Sequence, residues 1–341
     1  MDVELGLNTF GDVTQGPDGA LQHPAVTLRE VVEQGVLADE LGVDVLGIGE
    51  HHRPDFAVSA PDVVLAAIAG RTSRMRLGSA VTVLSSDDPI RVFQRFATID
   101  GISGGRAEVM LGRGSFIESF PLFGYDLDDY ERLFTEKLDL FVRLLDEKPV
   151  TWTGTMRPPL TDVVVHPRTE SGRLRASIAV GGSPESVIRA ARYRLPLMVA
   201  IIGGPAERFV PLVDLYRRAL DELGADRLPV GVHSPGHVAE TDEQAREEYW
   251  PFYDEMYGRL GRERGWGPTT REHFDAEVDA GALYVGAPET VAQKIAATVR
   301  TLEAQRFDLK YATGSMPHTL LMRSIELYGT RVMPRVRELL G

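Results

Sequence analysis

The sequence predicts a single α/β domain over residues 1–341, closed into a (β/α)8 TIM barrel with insertions after strands four and seven. Three observations carry this expectation. Eight short runs are rich in Val, Ile and Leu, each is followed by a helical pattern or a long polar stretch, and no linker or internal repeat interrupts the series. Strands that read as near-continuous apolar runs are buried on both faces, which is the mark of a parallel sheet covered by helices. An open doubly wound sheet is the alternative topology for the same alternation.

In order, the strand candidates are 3–9, 43–49, 75–84, 107–112, 177–182, 197–202, 230–239 and 308–313. Helical segments such as 27–41 and 128–145 lie between them. In the second, Leu133, Phe134, Leu138, Phe141, Leu144 and Leu145 recur at spacings of three and four, which forms one apolar face. The inserts are 147–176, polar and rich in Pro, Arg and Thr, and 242–305, which opens with the charged and aromatic "TDEQAREEYWPFYDEMYGRLGRERG".

Composition narrows the function classes. A net charge of −13 disfavours nucleic acid and anionic membrane surfaces, which are bound largely through Lys and Arg. The absence of cysteine excludes disulfides, thiolate metal sites and cysteine nucleophiles. The N-terminus has no basic start followed by a long apolar run, and "LPLMVAII" is far shorter than the roughly 20 residues of a membrane span. The expectation is a soluble, cytoplasmic protein.

Three stretches carry candidate chemistry. "GEHH" places Glu50, His51 and His52 just past strand two, at the rim where barrel chemistry gathers. An imidazole beside a carboxylate suits proton movement near neutrality, although adjacent residues on an extended segment point to opposite sides. No HExxH or third ligand follows, so no metal site is expected. "AVGGSPESVIRAAR" ends a strand in Gly181 and Gly182 and opens a helix at Ser183 and Pro184, with Ser186 one turn in. Free N–H groups, the helix dipole and two hydroxyls suit a phosphate-sized anion; a plain N-cap explains Ser183 and Pro184 but neither the paired glycines nor Ser186. "SAVTVLSSDDPIRVFQRFATIDGISGGRAEVMLGRGSF" reads as a βαβ unit whose closing glycines bare the backbone, with neither a Walker loop nor a full GxGxxG.

Weaker features complete the list. His233 and His237 in "HSPGH" are read as strand and turn, because Pro235 and Gly236 break any helix that would align them. The helix of the second insert is expected to be solvated, with one aromatic face lying over the barrel mouth. Tyr311, Gly314 and Met316 follow the last strand toward the same mouth.

Taken together, "LNTF", "EHH", the 79–116 block, "GGSPES", "YVGAPETVAQKI" and "GSMPHTLLMRSIELYGTRVMPRV" resemble, in order along almost the whole chain, the bacterial luciferase-like flavin-dependent monooxygenases. The resemblance implies reduced FMN from a separate NAD(P)H:flavin reductase, molecular oxygen and a small organic substrate. A deazaflavin coenzyme with hydride transfer, or a silent flavin-binding protein, is the alternative. It implies a catalytic His51 flanked by Glu50 and His52. It also implies a non-prolyl cis peptide at Ala80–Val81, next to Ser79, against the flavin ring. Gly112 and Arg113 would lie under the ring and near the phosphate, Gly181, Gly182, Ser183 and Ser186 around the phosphate, and Gly314 at the mouth. A homodimer through early barrel helices is implied as well. Two positions depart from the pattern: Gly112 replaces a cysteine of the luciferase α subunit, and Glu131 replaces a phosphate-binding arginine, with Arg132 adjacent.

Overall fold

In a parallel barrel every strand needs a crossover helix, and this chain starts its helices with a repeated device. Proline at the first helical position is preceded by an extended capping residue. His23 Nδ1 accepts from the N–H of Ala25 at 3.1 Å before α1 (Pro24–Glu40), and Asp88 Oδ1 accepts from Ile90 at 2.9 Å before α3 (Pro89–Ser103). α2 (Pro61–Ala69) also begins on proline. The computed structural model describes residues 3–114, 116–265 and 267–341.

Eight parallel strands form the barrel: β1 (Glu4–Thr9), β2 (Val45–Ile48), β3 (Arg76–Ser79), β4 (Ala107–Gly112), β5 (Arg175–Val180), β6 (Leu197–Ala200), β7 (Val230–Val238) and β8 (Arg306–Lys310). Each pairs with the next, and β8 returns to β1 with Leu5 opposite Phe307 and Leu7 opposite Leu309, so no edge remains. The open sheet is thereby set aside. All eight apolar runs become barrel strands. The third continues as Thr82–Val83 beyond a cis Ala80–Val81 peptide, and Thr82–Val83 pairs with β4.

Alternate residues face opposite sides of each strand. Leu5, Leu7, Leu46, Ile48, Leu77, Phe307 and Leu309 form part of the main apolar core, where strands meet helices. The barrel interior is polar. From β8, Arg306 donates to Asp308 at 2.8 Å and reaches Glu108 of β4 at 2.6 Å, while Asn8 of β1 donates to Asp308 at 3.3 Å. Gly6 makes room for this lattice, since a methyl there would stand 2.2 Å from Asp308 Oδ1. A cavity of about 540 Å³ opens at the strands' N-terminal end, lined in part by Arg76, Arg173, Arg175, Arg194 and Arg306.

The outer layer adds α4 (Tyr130–Leu144), α5 (Pro184–Arg192), α6 (Val210–Glu222), α7 (Asp242–Arg264), α8 (Arg271–Asp279), α9 (Pro288–Leu302), α10 (His318–Leu327) and α11 (Met333–Leu340). Segment 147–176 contains an antiparallel pair, Val150–Trp152 with Leu160–Val163. Segment 242–305 holds α7, α8, a short strand Tyr284–Gly286 beside β7, and α9. No described helix is long and apolar enough to cross a membrane.

The strand-and-turn expectation for "HSPGH" needs correction. β7 runs straight through Pro235 and Gly236, with all nine residues buried. β6 pairs with its first half, up to His233, and Tyr284–Gly286 pairs from Gly236 onward. Pro235, which cannot donate, falls where the partner on one side changes. α7 carries the expected aromatic face. Tyr249 and Tyr253 are buried, Tyr253 stacks on Tyr257 at 4.3 Å, and Tyr249 Oη lies 2.6 Å from Thr313 Oγ1 beyond β8.

The start of β3 is set by Asp39, in the last turn of α1. Its carboxylate accepts from the N–H groups of Met75 (2.7 Å), Arg74 (2.9 Å) and Ser73 (3.2 Å). Burial pushes this carboxyl up, but the three donors outweigh it and hold it below the ordinary 3.8. Asp39→Asn is expected to lower the unfolding free energy by about 2 kcal/mol at neutral pH. A depressed native pKa contributes stability that is present above the unfolded value and is lost as pH falls through the native one, so the gap to wild type should begin to narrow below about pH 4. Urea unfolding at pH 7 and pH 3.5 measures this; an unchanged gap at the lower pH contradicts it.

Candidate active site

Three apolar residues of β2 point the chain at the C-terminal rim, and the polar groups of interest follow at once. His51 is fixed by its own N–H, which donates to the Val58 carbonyl at 3.1 Å. Its ring lies in an aromatic wall, with centroids 4.4 Å from Phe56, 4.7 Å from Phe10 and 5.0 Å from Phe116. This environment pushes its pKa down to about 3, first through burial and then through the positive fields of Lys310, His52 and Arg53. Lys310 lies under Phe10, its ammonium 4.7 Å from the ring centroid, and is paired with Asp12 at 3.4 Å.

Glu50 and His52 turn away from this wall. Glu50 Oε1 accepts from His52 at 2.9 Å, and its Oε2 accepts from the N–H of Val83 at 3.1 Å. The carboxylate therefore ties the rim of β2 to the segment beyond Ala80–Val81, and the His52 ring meets Phe123 at 5.0 Å. Of the three titratable neighbours, His51 alone enters the aromatic wall. A second imidazole, His233 of β7, joins it from below. It stacks on Phe10 at 6.2 Å, its Nδ1 lies 2.8 Å from Asn8 Nδ2, and burial with Lys310 and Arg306 nearby pushes it down to about 3. The sequence placed His233 on a strand but gave no sign that it approaches His51.

The rest of the rim continues toward α5. Ser79 is spent on strand pairing: its hydroxyl donates to the Met110 carbonyl at 3.1 Å and accepts from the Met110 N–H at 3.2 Å. Ala80 and Val81 form the cis peptide. A methyl on Gly112 would stand 2.7 Å from Val81 Cγ2, so this glycine's bareness admits the Val81 side chain. Beyond it, Arg113 reaches α5, donating to Ser186 Oγ at 3.0 Å, with its guanidinium 5.1 Å from the Tyr130 ring centroid.

At α5, Gly181 and Gly182 are exposed and Gly182 has φ of 136°. Ser183 is the N-cap; its hydroxyl accepts from the Ser186 N–H at 3.4 Å and donates to Glu185 at 2.7 Å. Arg189, one turn beyond Ser186, extends back over Phe134 to Glu131, donating at 2.8 Å, and Arg113 pairs with the same carboxylate. Arg189 Nη1 is buried with no hydrogen-bond partner among the described residues. Two guanidiniums, a buried hydroxyl and a helix N-terminus therefore converge, a donor set that fits a phosphate. Arg189 was missed in the sequence, though Ser183, Ser186 and Arg189 recur every three residues on one helix. Arg132 does not join the cluster; it pairs with Asp129 at 2.5 Å and is 55% exposed. Gly314 stands apart from the cradle, on the Lys310 side, its N–H donating to Asp12 at 3.2 Å.

Comparison with known proteins gives a consistent picture. A family model described as luciferase-like monooxygenase matches residues 8–305. A 4-hydroxyprotoasukamycin monooxygenase of Streptomyces nodosus subsp. asukaensis is 28% identical over 339 residues, covering 92% of this chain and 88% of its own. The monooxygenase RslO1 of Streptomyces bottropensis superposes with a TM-score of 0.83 at 26% identity, over 97% of this chain and 99% of that one. Two more distant structures share the fold. The FMN-bound oxygenating component of 3,6-diketocamphane monooxygenase from Pseudomonas putida has a TM-score of 0.78 at 17% identity, over 98% and 99% of the two chains. The F420-dependent tetrahydromethanopterin reductase of Methanopyrus kandleri has 0.73 at 19%, over 98% and 100%.

The wall around His51 makes a measurable claim. Its imidazole should stay neutral from pH 8 down to about pH 5, because its charged form is disfavoured first by burial and then by the nearby positive charge of Lys310. Nitrogen NMR of the ring, assigned by comparison with His51→Asn, reads this directly. A protonation midpoint near 6.5 contradicts it.

Proposed function

This chain belongs to the luciferase-like monooxygenase family, and from that premise we propose that it oxidises a small organic substrate with molecular oxygen at a bound reduced FMN. The observation that carries the reading is the pairing of two features on one rim: the Arg113, Ser183, Ser186 and Arg189 cradle, and His51 in its aromatic wall. Val81 and Gly112 pack together between them, and Glu50 links the His51 segment to Val83.

Bound reduced FMN supplies the electrons that activate oxygen. The chain's own groups do the rest. The cradle holds the phosphate with charge-assisted hydrogen bonds and so fixes the position of the ring. Phe10, Phe56 and Phe116 keep water away from the His51 ring. A neutral imidazole has one nitrogen free to accept a proton and another that donates, so His51 can hold a proton at the reacting oxygen and pass it on. Glu50 and His52 act through the backbone they fasten. The reduced flavin would come from a separate NAD(P)H:flavin reductase. A homodimer through α1 and α2 belongs to the same reading, and Val63, 65% exposed on α2, suits it.

The test uses the purified protein and reduced FMN under anaerobic conditions, followed by mixing with air-saturated buffer. His51→Ala should keep its FMN affinity within about twofold yet release hydrogen peroxide at least roughly tenfold faster than wild type. Equal release rates remove His51 from the reaction. A protein that binds the reduced deazaflavin coenzyme and ignores reduced FMN overturns the cofactor assignment.

A further inference from the structure

The cradle is not bare. Glu131, in the first turn of α4, places its carboxylate between the two guanidiniums that the phosphate needs: Arg189 donates to one oxygen at 2.8 Å, and Arg113 pairs with the other. Arg113 donates through its remaining arm to Ser186, and Arg189 Nη1 has no partner among the described residues. Two cations brought to one spot repel unless an anion lies between them. Here that anion is supplied by the protein itself.

A phosphate monoester carries close to two negative charges at neutral pH and would meet Glu131 on the same donors. Both cannot use the two guanidiniums together without like-charge repulsion at contact distance. Glu131 is free to move aside. Its side chain is 60% exposed, and among the described residues its carboxylate pairs with Arg113 and Arg189 alone. Exposed ion pairs of this kind are cheap to break.

We propose that Glu131 is an internal competitor for the flavin phosphate, occupying the cradle between turnovers and lowering its affinity so that the cofactor exchanges. The inference rests on the flavin-phosphate reading of the cradle. With Glu131 in place, the arginines stay gathered and oriented while no flavin is bound. The entering phosphate must displace the carboxylate, and the departing one is replaced by it. An arginine in place of Glu131 would add a third donor and hold the phosphate. The glutamate makes this a site for a visiting flavin, the kind of site that suits a cofactor delivered reduced by another protein.

The test compares FMN with riboflavin, which lacks the phosphate, by fluorescence quenching for the oxidised forms and anaerobic equilibrium dialysis for the reduced ones. Wild type, Glu131→Ala, Glu131→Gln and the charge control Asp129→Asn are measured, with melting temperatures to show that each is folded. Both Glu131 variants should bind FMN about tenfold tighter than wild type and riboflavin within twofold of it, while Asp129→Asn should leave both affinities within twofold. Glu131 variants that bind FMN equally well or more weakly, while wild type binds FMN better than riboflavin, overturn the competitor role and leave the phosphate cradle standing. No preference for FMN over riboflavin in wild type and in both Glu131 variants overturns the cradle itself, and the competitor role with it.

Discussion

One guanidinium crosses the barrel. Arg306 starts on β8, holds both oxygens of Asp308 on its own strand at 2.8 Å, and reaches Glu108 on β4, on the opposite side of the ring, at 2.6 Å. Burial disfavours its charge, but the carboxylates of Asp308 and Glu108 more than offset this and keep it protonated. Removing one partner of such a buried pair leaves an uncompensated charge, at a cost of about 3–5 kcal/mol. Asp308 then accepts from Asn8, which meets His233, which stacks on Phe10, which meets His51. The polar filling of the barrel and the aromatic wall at its mouth thus form one continuous stack. The orientation of His51 depends on it.

That stack also sets the electrostatics of the rim. Lys310 ends the inward row of β8; its ammonium faces Asp12 and the Phe10 ring, and its charge acts on both histidines. Burial first, and this positive charge second, hold both imidazoles neutral at physiological pH. At the cradle the balance is reversed. Arg113 and Arg189 converge there, and the chain answers them with Glu131. In the proposed function, one end of the mouth moves a proton and the other holds an anion by exchange.

Much of this could be read in the sequence, and the misses have physical causes. The eight strands announced themselves because parallel strands covered by helices are apolar on both faces. The boundaries slipped where that rule fails: β8 begins at Arg306, but the charged residues of "RFDLK" look like a solvent face when they in fact line the barrel interior. "HSPGH" misled because proline and glycine signal turns, and only the change of partner along β7 lets them sit in a strand. "EHH" located the rim, but which of three neighbours enters the pocket depends on Phe10, Phe56 and Phe116, which arrive from three separate loops. Arg189 and Glu131 lie 58 residues apart, and their meeting follows from barrel closure rather than from any local motif.

The central claim is that one cofactor lies along the C-terminal rim, from the cradle at α5 to His51. A crystal structure of the protein with FMN bound tests it most directly. The account predicts phosphate density against Ser183, Ser186 and the two arginines, with the ring over Val81 and its reacting edge toward His51. Phosphate density in the arginine-lined cavity at the opposite end of the barrel, or a ring that leaves His51 out of reach, would contradict it.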